Sequence, residues 1–461
     1  MAHLLISAAH KSSGKTTISI GLCAALRARG NSVQSFKKGP DYIDPIWLAH
    51  ASGRHCHNLD FHMMSRDEIT QTFATHDIGA DISIIEGNKG LYDGLDLDGS
   101  NSNAALATHL AAPVILVIDT RGMTRGIAPL LLGYQQFDSG INIAGVILNN
   151  VGGSRHEEKL SRIIGHYTDI QVIGAVHHDK NLQIRERHLG LMPCNELDEA
   201  HETIERIRQA IEDQVDLDRV ISIANTAPSL QRTELPAAAE ISMDLRIGIA
   251  RDAAFGFYYP GDLDKFRLNG AEIIEFSTID DKVLPVVDGI FLGGGFPETQ
   301  MQALQANVTL REDIRAAIEN GLPVYAECGG LMYLCRSLQW NDEKVALAGV
   351  IPADVIMHER PQGRGYTRLQ ETDDSIWPDS NNSPGSALNA HEFHYSGLQH
   401  MDEDFDCRYA FNVLRGHGVD GEHDGIIYKN MLACYSHQQD HAMNPWVTRF
   451  VNFVRKHKQA N

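Results

Sequence analysis

The sequence predicts an α/β protein of two domains, each built on a largely parallel sheet. Three observations predict it. Short apolar runs alternate with longer segments of helical character. The alternation breaks once, in a proline-bearing polar stretch near the middle of the chain. The 461 residues, 43% hydrophobic and 22% charged, are enough for more than one buried core and exclude a disordered or repetitive chain.

In the first half the apolar runs are Leu4 to Ser7, Val33 to Phe36, Ile82 to Ile85, Val114 to Ile118, Ala144 to Leu148 and Val172 to Val176. Runs this short, separated by helix-length segments, are the pattern of repeated βαβ units with parallel strands. A polar helical stretch, Glu199 to Asp216, closes the series. The chain then passes through Asn225-Thr226-Ala227-Pro228-Ser229 and Leu235-Pro236-Ala237-Ala238-Ala239, where two prolines among small residues read as a linker. A second α/β series follows at Arg246 to Ala250, Ile273 to Phe276, Gly289 to Leu292 and Val324 to Glu327. The expected organisation is a domain over 1–222, a linker over 223–243 and a domain over 244–461.

Composition narrows the function. A formal charge of −20 makes nucleic acid a poor partner, while leaving room for a local basic pocket that takes a polyanion. The longest apolar stretches, such as Ala111 to Asp119, fall far short of the ~20 residues a membrane helix needs, and Met1 to Ile6 lacks the basic start of a secretory signal. A soluble cytoplasmic protein is expected. The seven cysteines are odd in number and form no Cys-x-x-Cys pair, which argues against a disulfide framework or a zinc knuckle. Cys23, Cys194, Cys335 and Cys407 read as inert core.

Directly after the first strand comes Ala9-His10-Lys11-Ser12-Ser13-Gly14-Lys15-Thr16-Thr17, followed by a helical run. Strand, loop and helix in this order are the context of a P-loop. Its N–H groups, over Ser12, Ser13, Gly14, Lys15, Thr16 and Thr17, would cradle the phosphates of ATP; Lys15 would neutralise them, and the Thr16 hydroxyl would bind Mg²⁺. Ala9 stands where the first glycine is usual. Two acidic clusters, Lys37 to Pro45 and Glu86 to Gly94, follow the second and third expected strands on the same rim. Mg²⁺ wants hard oxygen ligands, so Asp41 and Glu86 are the carboxylates expected opposite Thr16. Lys37, Lys38 and Lys89 are expected to meet substrate carboxylates.

In the second half, Pro323 to Glu327 leads as an apolar strand into Cys328-Gly329-Gly330 and a helical run. Glycine after a nucleophile permits the sharp turn that exposes it, so Cys328 is a candidate nucleophile. Another glycine-rich turn, Gly293-Gly294-Gly295-Phe296-Pro297-Glu298, also follows a strand, and the N–H groups of Gly294, Gly295 and Gly329 are candidates for an oxyanion hole. A cysteine nucleophile needs a base, and His437, ending the strand-like Ala433-Cys434-Tyr435-Ser436, is the choice among 23 histidines.

These motifs together resemble the cobyrinate a,c-diamide synthases, glutamine-dependent amidoligases of tetrapyrrole biosynthesis. The resemblance also rests on Asn58-Leu59-Asp60, Glu186 to Leu191, Ala250 to Phe255 and His391-Glu392-Phe393-His394-Tyr395-Ser396, and spans nearly the whole chain. It implies a dethiobiotin-synthetase-like P-loop domain fused to a class I glutamine amidotransferase-like domain. It also implies Cys328 attacking glutamine with His437 shuttling protons, and a substrate carboxylate activated as an acyl phosphate and amidated by ammonia that travels inside the protein. The resemblance associates Asp44 and Asp93 with substrate and intermediate, implies a place in cobalamin biosynthesis, and fits a homodimer.

Three departures stand out. Gln439 occupies the place where class I amidotransferases carry a Glu two residues beyond the histidine, which leaves a Cys/His dyad or another residue orienting the imidazole. His10-Lys11-Ser12-Ser13 differs from the family's usual loop start. Asn88-Lys89 replaces a more apolar pair and is similar to the branch that amidates sirohaem. Cobyrinate and the sirohydrochlorin or sirohaem type therefore stand level as substrates, with nickel sirohydrochlorin another member of the set. A partitioning-type ATPase switch is the distant alternative; it uses a lysine where this chain has His10, and it leaves Cys328 without a role.

Overall fold

The computed structural model describes residues 2–187, 190–193, 199–229, 242–377 and 387–460. By internal contacts the chain divides into units Met1–Leu235 and Pro236–Asn461. Residues 230–241 of the expected linker, Cys194, and His188 and Leu189 of one quoted motif lie outside the described residues.

In the first unit seven strands form one sheet: β1 (Ala2–Ala8), β2 (Val33–Lys38), β3 (His57–Leu59), β4 (Ile82–Glu86), β5 (Val114–Asp119), β6 (Ile143–Val151) and β7 (Val172–His177). Their order is β3-β2-β4-β1-β5-β6-β7, and every neighbouring pair is parallel. Helices on both faces make the strands apolar on both sides: along β1, Leu4, Ile6 and Ala8 join one core while Leu5 joins the other. The helix α1 (Lys15–Ala28) covers one face and packs on helix Ala200–Gln214. A Cβ at Gly21 would sit 2.3 Å from Ile211 Cγ1, so glycine sets how closely the two helices cross. Since β1 lies between β4 and β5, successive connections leave it in opposite directions. The carboxyl ends of β1, β2 and β4 therefore bound the crevice where an open parallel sheet binds ligands.

The second unit carries a nine-stranded mixed sheet. Its parallel part runs Ala271–Phe276, Leu245–Ala250, Gly289–Leu292, Val324–Glu327 and Met431–Cys434. The antiparallel part adds His423–Tyr428, Arg408–Arg415, Gly363–Glu371 and Ala387–His394. The strand Val324–Glu327 is anchored by Tyr325, whose buried ring stacks on Phe291 at 5.3 Å and meets Trp446 at 4.8 Å. Such aromatic packing fixes the end of the strand from which the thiol turn departs. Among the described residues no helix is long and apolar enough to cross a membrane.

Candidate active sites

The loop between β1 and α1 is shaped by one glycine and one asparagine. Gly14 has φ +91°, and a Cβ there would lie 2.1 Å from Asn149 Nδ2, which donates to the Ser13 carbonyl at 2.9 Å. Ser12 also adopts positive φ, 64°. At the place of the usual first glycine, the Ala9 carbonyl accepts from Tyr134 Oη, and a Cβ at Gly90 would lie 2.8 Å from that carbonyl oxygen. The segment after β4 thus closes directly on the phosphate loop. Asp93 Oδ2 in turn accepts from Gly90 N at 2.9 Å.

Charged groups converge at the mouth of this loop. The Thr16 hydroxyl lies 2.7 Å from Glu86 Oε1 and 3.3 Å from Asp44 Oδ2. Lys37 Nζ lies 2.5 Å from Asp44, 3.1 Å from Glu86 and 3.8 Å from Asp41. Burial pulls the Lys37 ammonium down, but the three carboxylates outweigh it and hold its pKa well above the ordinary lysine value. Lys15 moves the other way, to about 8, because burial and then Lys37 disfavour its charge more than Glu86, Asp44 and Asp93 favour it. Glu86 is fully buried; burial raises its pKa, opposed by Lys37. Its Oε2 has no hydrogen-bond partner among the described residues. A buried carboxylate oxygen left over beside a hydroxyl and a second carboxylate is a donor set suited to a hard divalent cation.

Asp44 takes the position against Thr16 that was expected of Asp41. Asp41 Oδ1 instead accepts from Ile43 N at 2.9 Å and Asp44 N at 3.1 Å, capping the start of helix Ile43–Ser52 and turning Asp44, in its first turn, toward the loop. Lys37 and Lys38 also differ from an open basic patch. Lys37 is taken up by the acidic cluster, and Lys38, 1% exposed, donates to Asn101 O at 2.5 Å and Asn101 Oδ1 at 3.0 Å. Lys89 is exposed at the rim in a left-handed backbone conformation, φ +36°.

In the second unit Cys328 sits in a strained turn, φ +47° and ψ −99°, between strand Val324–Glu327 and helix Gly329–Leu334. The close surroundings demand glycine. A Cβ at Gly330 would meet Leu292 O at 2.3 Å, one at Gly295 would meet Ala254 O at 2.0 Å, and one at Gly294 would meet His437 Cε1 at 2.5 Å. A Cβ on Gly329 would reach Gly295 N at 3.0 Å, so these two residues lie side by side next to the thiol. The Cys328 amide donates to Cys434 O at 2.7 Å, leaving Gly294, Gly295 and Gly329 as the candidates for holding an oxyanion.

His437 is 3% exposed, and Cys328 is one of the two groups that favour its charged form. Its backbone pairs with His391 in both directions, at 2.7 and 3.1 Å, and the two rings stack at 5.0 Å. Burial opposes its charge, but Cys328 and Glu327 outweigh burial and raise its pKa to about 10. Glu327 was not singled out in the sequence; its Oε2 lies 3.3 Å from His437 Nδ1. The signal that could have found it is the absence of an acid at position 439 beside a strand-end acid one residue ahead of the nucleophile.

Comparison with known proteins follows the same division. Residues 5–191 match the family model of the CobQ/CobB/MinD/ParA nucleotide binding domain, and residues 246–444 match the CobB/CobQ-like glutamine amidotransferase domain. The chain is 46% identical to a cobyrinate a,c-diamide synthase of Magnetococcus marinus, over 98% of this chain and 97% of that one. It is 41% identical to one from Methanosarcina acetivorans, over 94% and 91%, and 39% identical to one from Archaeoglobus fulgidus, over 96% of each.

Proposed function

Since this chain belongs to the cobyrinate a,c-diamide synthase family, and so is a glutamine-dependent amidating ligase, we propose that it amidates the a and c acetate carboxylates of a modified tetrapyrrole through acyl phosphates. The observation that carries this reading is the presence in one chain of a phosphate loop facing Glu86 and Asp44 and of a Cys328 thiol electrostatically paired with a buried His437.

At the phosphate loop, Lys15 and the loop amides hold ATP, and the substrate carboxylate attacks the γ-phosphorus, releasing ADP and forming an acyl phosphate. Thr16, Glu86 and either Asp41 or Asp44 would hold Mg²⁺, which when bound neutralises the triphosphate charge. Asp93 and Lys89, on the segment that closes against Ala9, would handle the carboxylate and its activated form. At the other site the Cys328 proton resides on His437, whose charged imidazole Cys328 and Glu327 favour, and the thiolate attacks the glutamine carboxamide. The Gly295 and Gly329 amides hold the oxyanion, and His437 returns the proton to the departing ammonia. Water then hydrolyses the thioester to glutamate. The ammonia attacks the acyl phosphate, phosphate leaves, and the amide forms.

Two substrate classes remain in view because Lys89, exposed at the rim, belongs to the Asn88-Lys89 pair that distinguishes this chain. The test is mass spectrometry after incubating the enzyme with Mg-ATP and glutamine, separately with cobyrinic acid, sirohydrochlorin and sirohaem. Each amidation replaces OH by NH₂, so a diamide appears as two successive losses of about one mass unit. Amidation of none of them would overturn the proposal.

A further inference from the structure

We infer that Glu327 is the positioning residue of the glutaminase site, holding His437 from the strand that precedes the nucleophile rather than from the segment that follows the histidine. The inference rests on the reading of Cys328 and His437 as nucleophile and base, and it deepens that reading.

The position two residues beyond the histidine cannot do this work. It is Gln439, buried, with its Oε1 lacking a hydrogen-bond partner among the described residues. Glu327 is built in on every side. It is 1% exposed, and while Oε2 faces His437 Nδ1 at 3.3 Å, Oε1 accepts from Tyr325 Oη at 2.7 Å and from Gln438 N at 2.8 Å. The clamp is itself held: Gln438 Nε2 donates to Tyr325 Oη at 2.8 Å, and Asn444 Nδ2 donates to Gln438 Oε1 at 2.9 Å. One carboxylate thus fixes both the imidazole and the backbone next to it.

Strand register explains the meeting. Glu327 pairs with Cys434 in the parallel ladder, so the strand ends carrying Glu327 and His437 emerge together, 110 residues apart in sequence. At 3.3 Å the contact is at the long end for a hydrogen bond, which puts its weight on orientation rather than strength. A carboxylate at Nδ1 holds a proton on that nitrogen and fixes the orientation of the imidazole that serves Cys328. The other groups packed on the ring are the Cys328 thiol and the stacked His391, whose Nδ1 lies 3.4 Å from Tyr259 Oη; Gly294 fills the Cε1 edge, and Tyr325 and Asp262 lie beyond Glu327.

The test compares full-length wild type, Glu327→Gln and Cys328→Ala. Gln at 327 keeps an oxygen for Tyr325 and Gln438 but turns an uncharged group to the imidazole. Expected for Glu327→Gln are a cooperative thermal transition with a modestly lower midpoint at neutral pH, a glutaminase kcat lower by roughly 10²–10⁴-fold with the KM for glutamine near wild type, and alkylation of Cys328 by iodoacetamide whose pH profile moves to higher pH. A folded Glu327→Gln enzyme with wild-type kcat and an unmoved alkylation profile would overturn the inference. If this variant does not fold, the ¹⁵N-histidine spectrum of the wild type, read by difference from His437→Gln, decides: Nδ1–H or doubly protonated His437 supports it, Nε2–H alone overturns it. Undiminished glutamine hydrolysis by Cys328→Ala would instead remove the glutaminase reading, and the inference with it.

Discussion

The two sites solve opposite problems. At the phosphate loop the dominant feature is crowded charge: Lys37 and Glu86 are buried, and Asp44, Asp41 and Lys15 crowd the same few ångströms. At the thiol site the charge is sparse and the backbone is unusual, with Cys328 at positive φ and glycines whose hydrogens are all that fits. A site that must receive a polyanion and bring a carboxylate against it is built from balanced charges. A site that must present one nucleophile is built from sterics. Substitutions should therefore fail differently in the two units.

The largest expected effect separates them outright. Cys328→Ser should lower glutamine-driven amide formation by about 10³-fold or more while amidation driven by added ammonium persists, measured as amide product with each nitrogen source. Lys15→Ala should lower both by a similar factor, on the order of 10²–10³, since both need the acyl phosphate; equal loss with the two nitrogen sources is the diagnostic. Gly295→Ala forces a methyl to within 2.0 Å of Ala254 O, so the loop must move, and glutaminase kcat should fall by roughly 10²-fold.

Smaller effects concern stability. His437, at about 10 in the folded protein, lies above the ordinary imidazole value of 6.5. A raised pKa contributes stability that is full below about pH 6.5 and lost as pH climbs through about 10. His437→Gln should therefore lower the thermal midpoint most at pH 6 and least near pH 10. At the far end, Ser65 caps helix Arg66–His76 in a reciprocal capping box with Glu68, and Ser65→Ala should cost about 1 kcal/mol by denaturant titration with activity unchanged.

The same contrast governs how much the sequence revealed. The apolar runs of the first unit lie within β1, β2, β4, β5, β6 and β7, because strands buried on both faces read as continuous hydrophobic segments. The missing strand, His57–Leu59, has three residues, too few for a periodicity. In the second unit Gly363–Glu371 and Arg408–Arg415 carry exposed polar residues between buried ones and pair across long separations, so no local run marked them. Site residues follow the same rule. Lys15, Thr16, Glu86 and Cys328 announce themselves by what surrounds them in the chain. Asp44 rather than Asp41 hydrogen-bonds Thr16 because a cap decides which of two acids one turn apart faces the loop. Glu327 is marked in the chain only by standing ahead of the nucleophile with no acid at position 439, and its contact with His437 depends on strand register.

Nitrogen freed at Cys328 is expected to end in the amide made at the phosphate loop. The most direct test supplies Mg-ATP, the accepted tetrapyrrole acid, glutamine labelled with ¹⁵N in its side-chain amide and an equal concentration of unlabelled ammonium at neutral pH. The account predicts a diamide heavier by about two mass units than the one made from unlabelled glutamine. A diamide carrying no label from glutamine would contradict it.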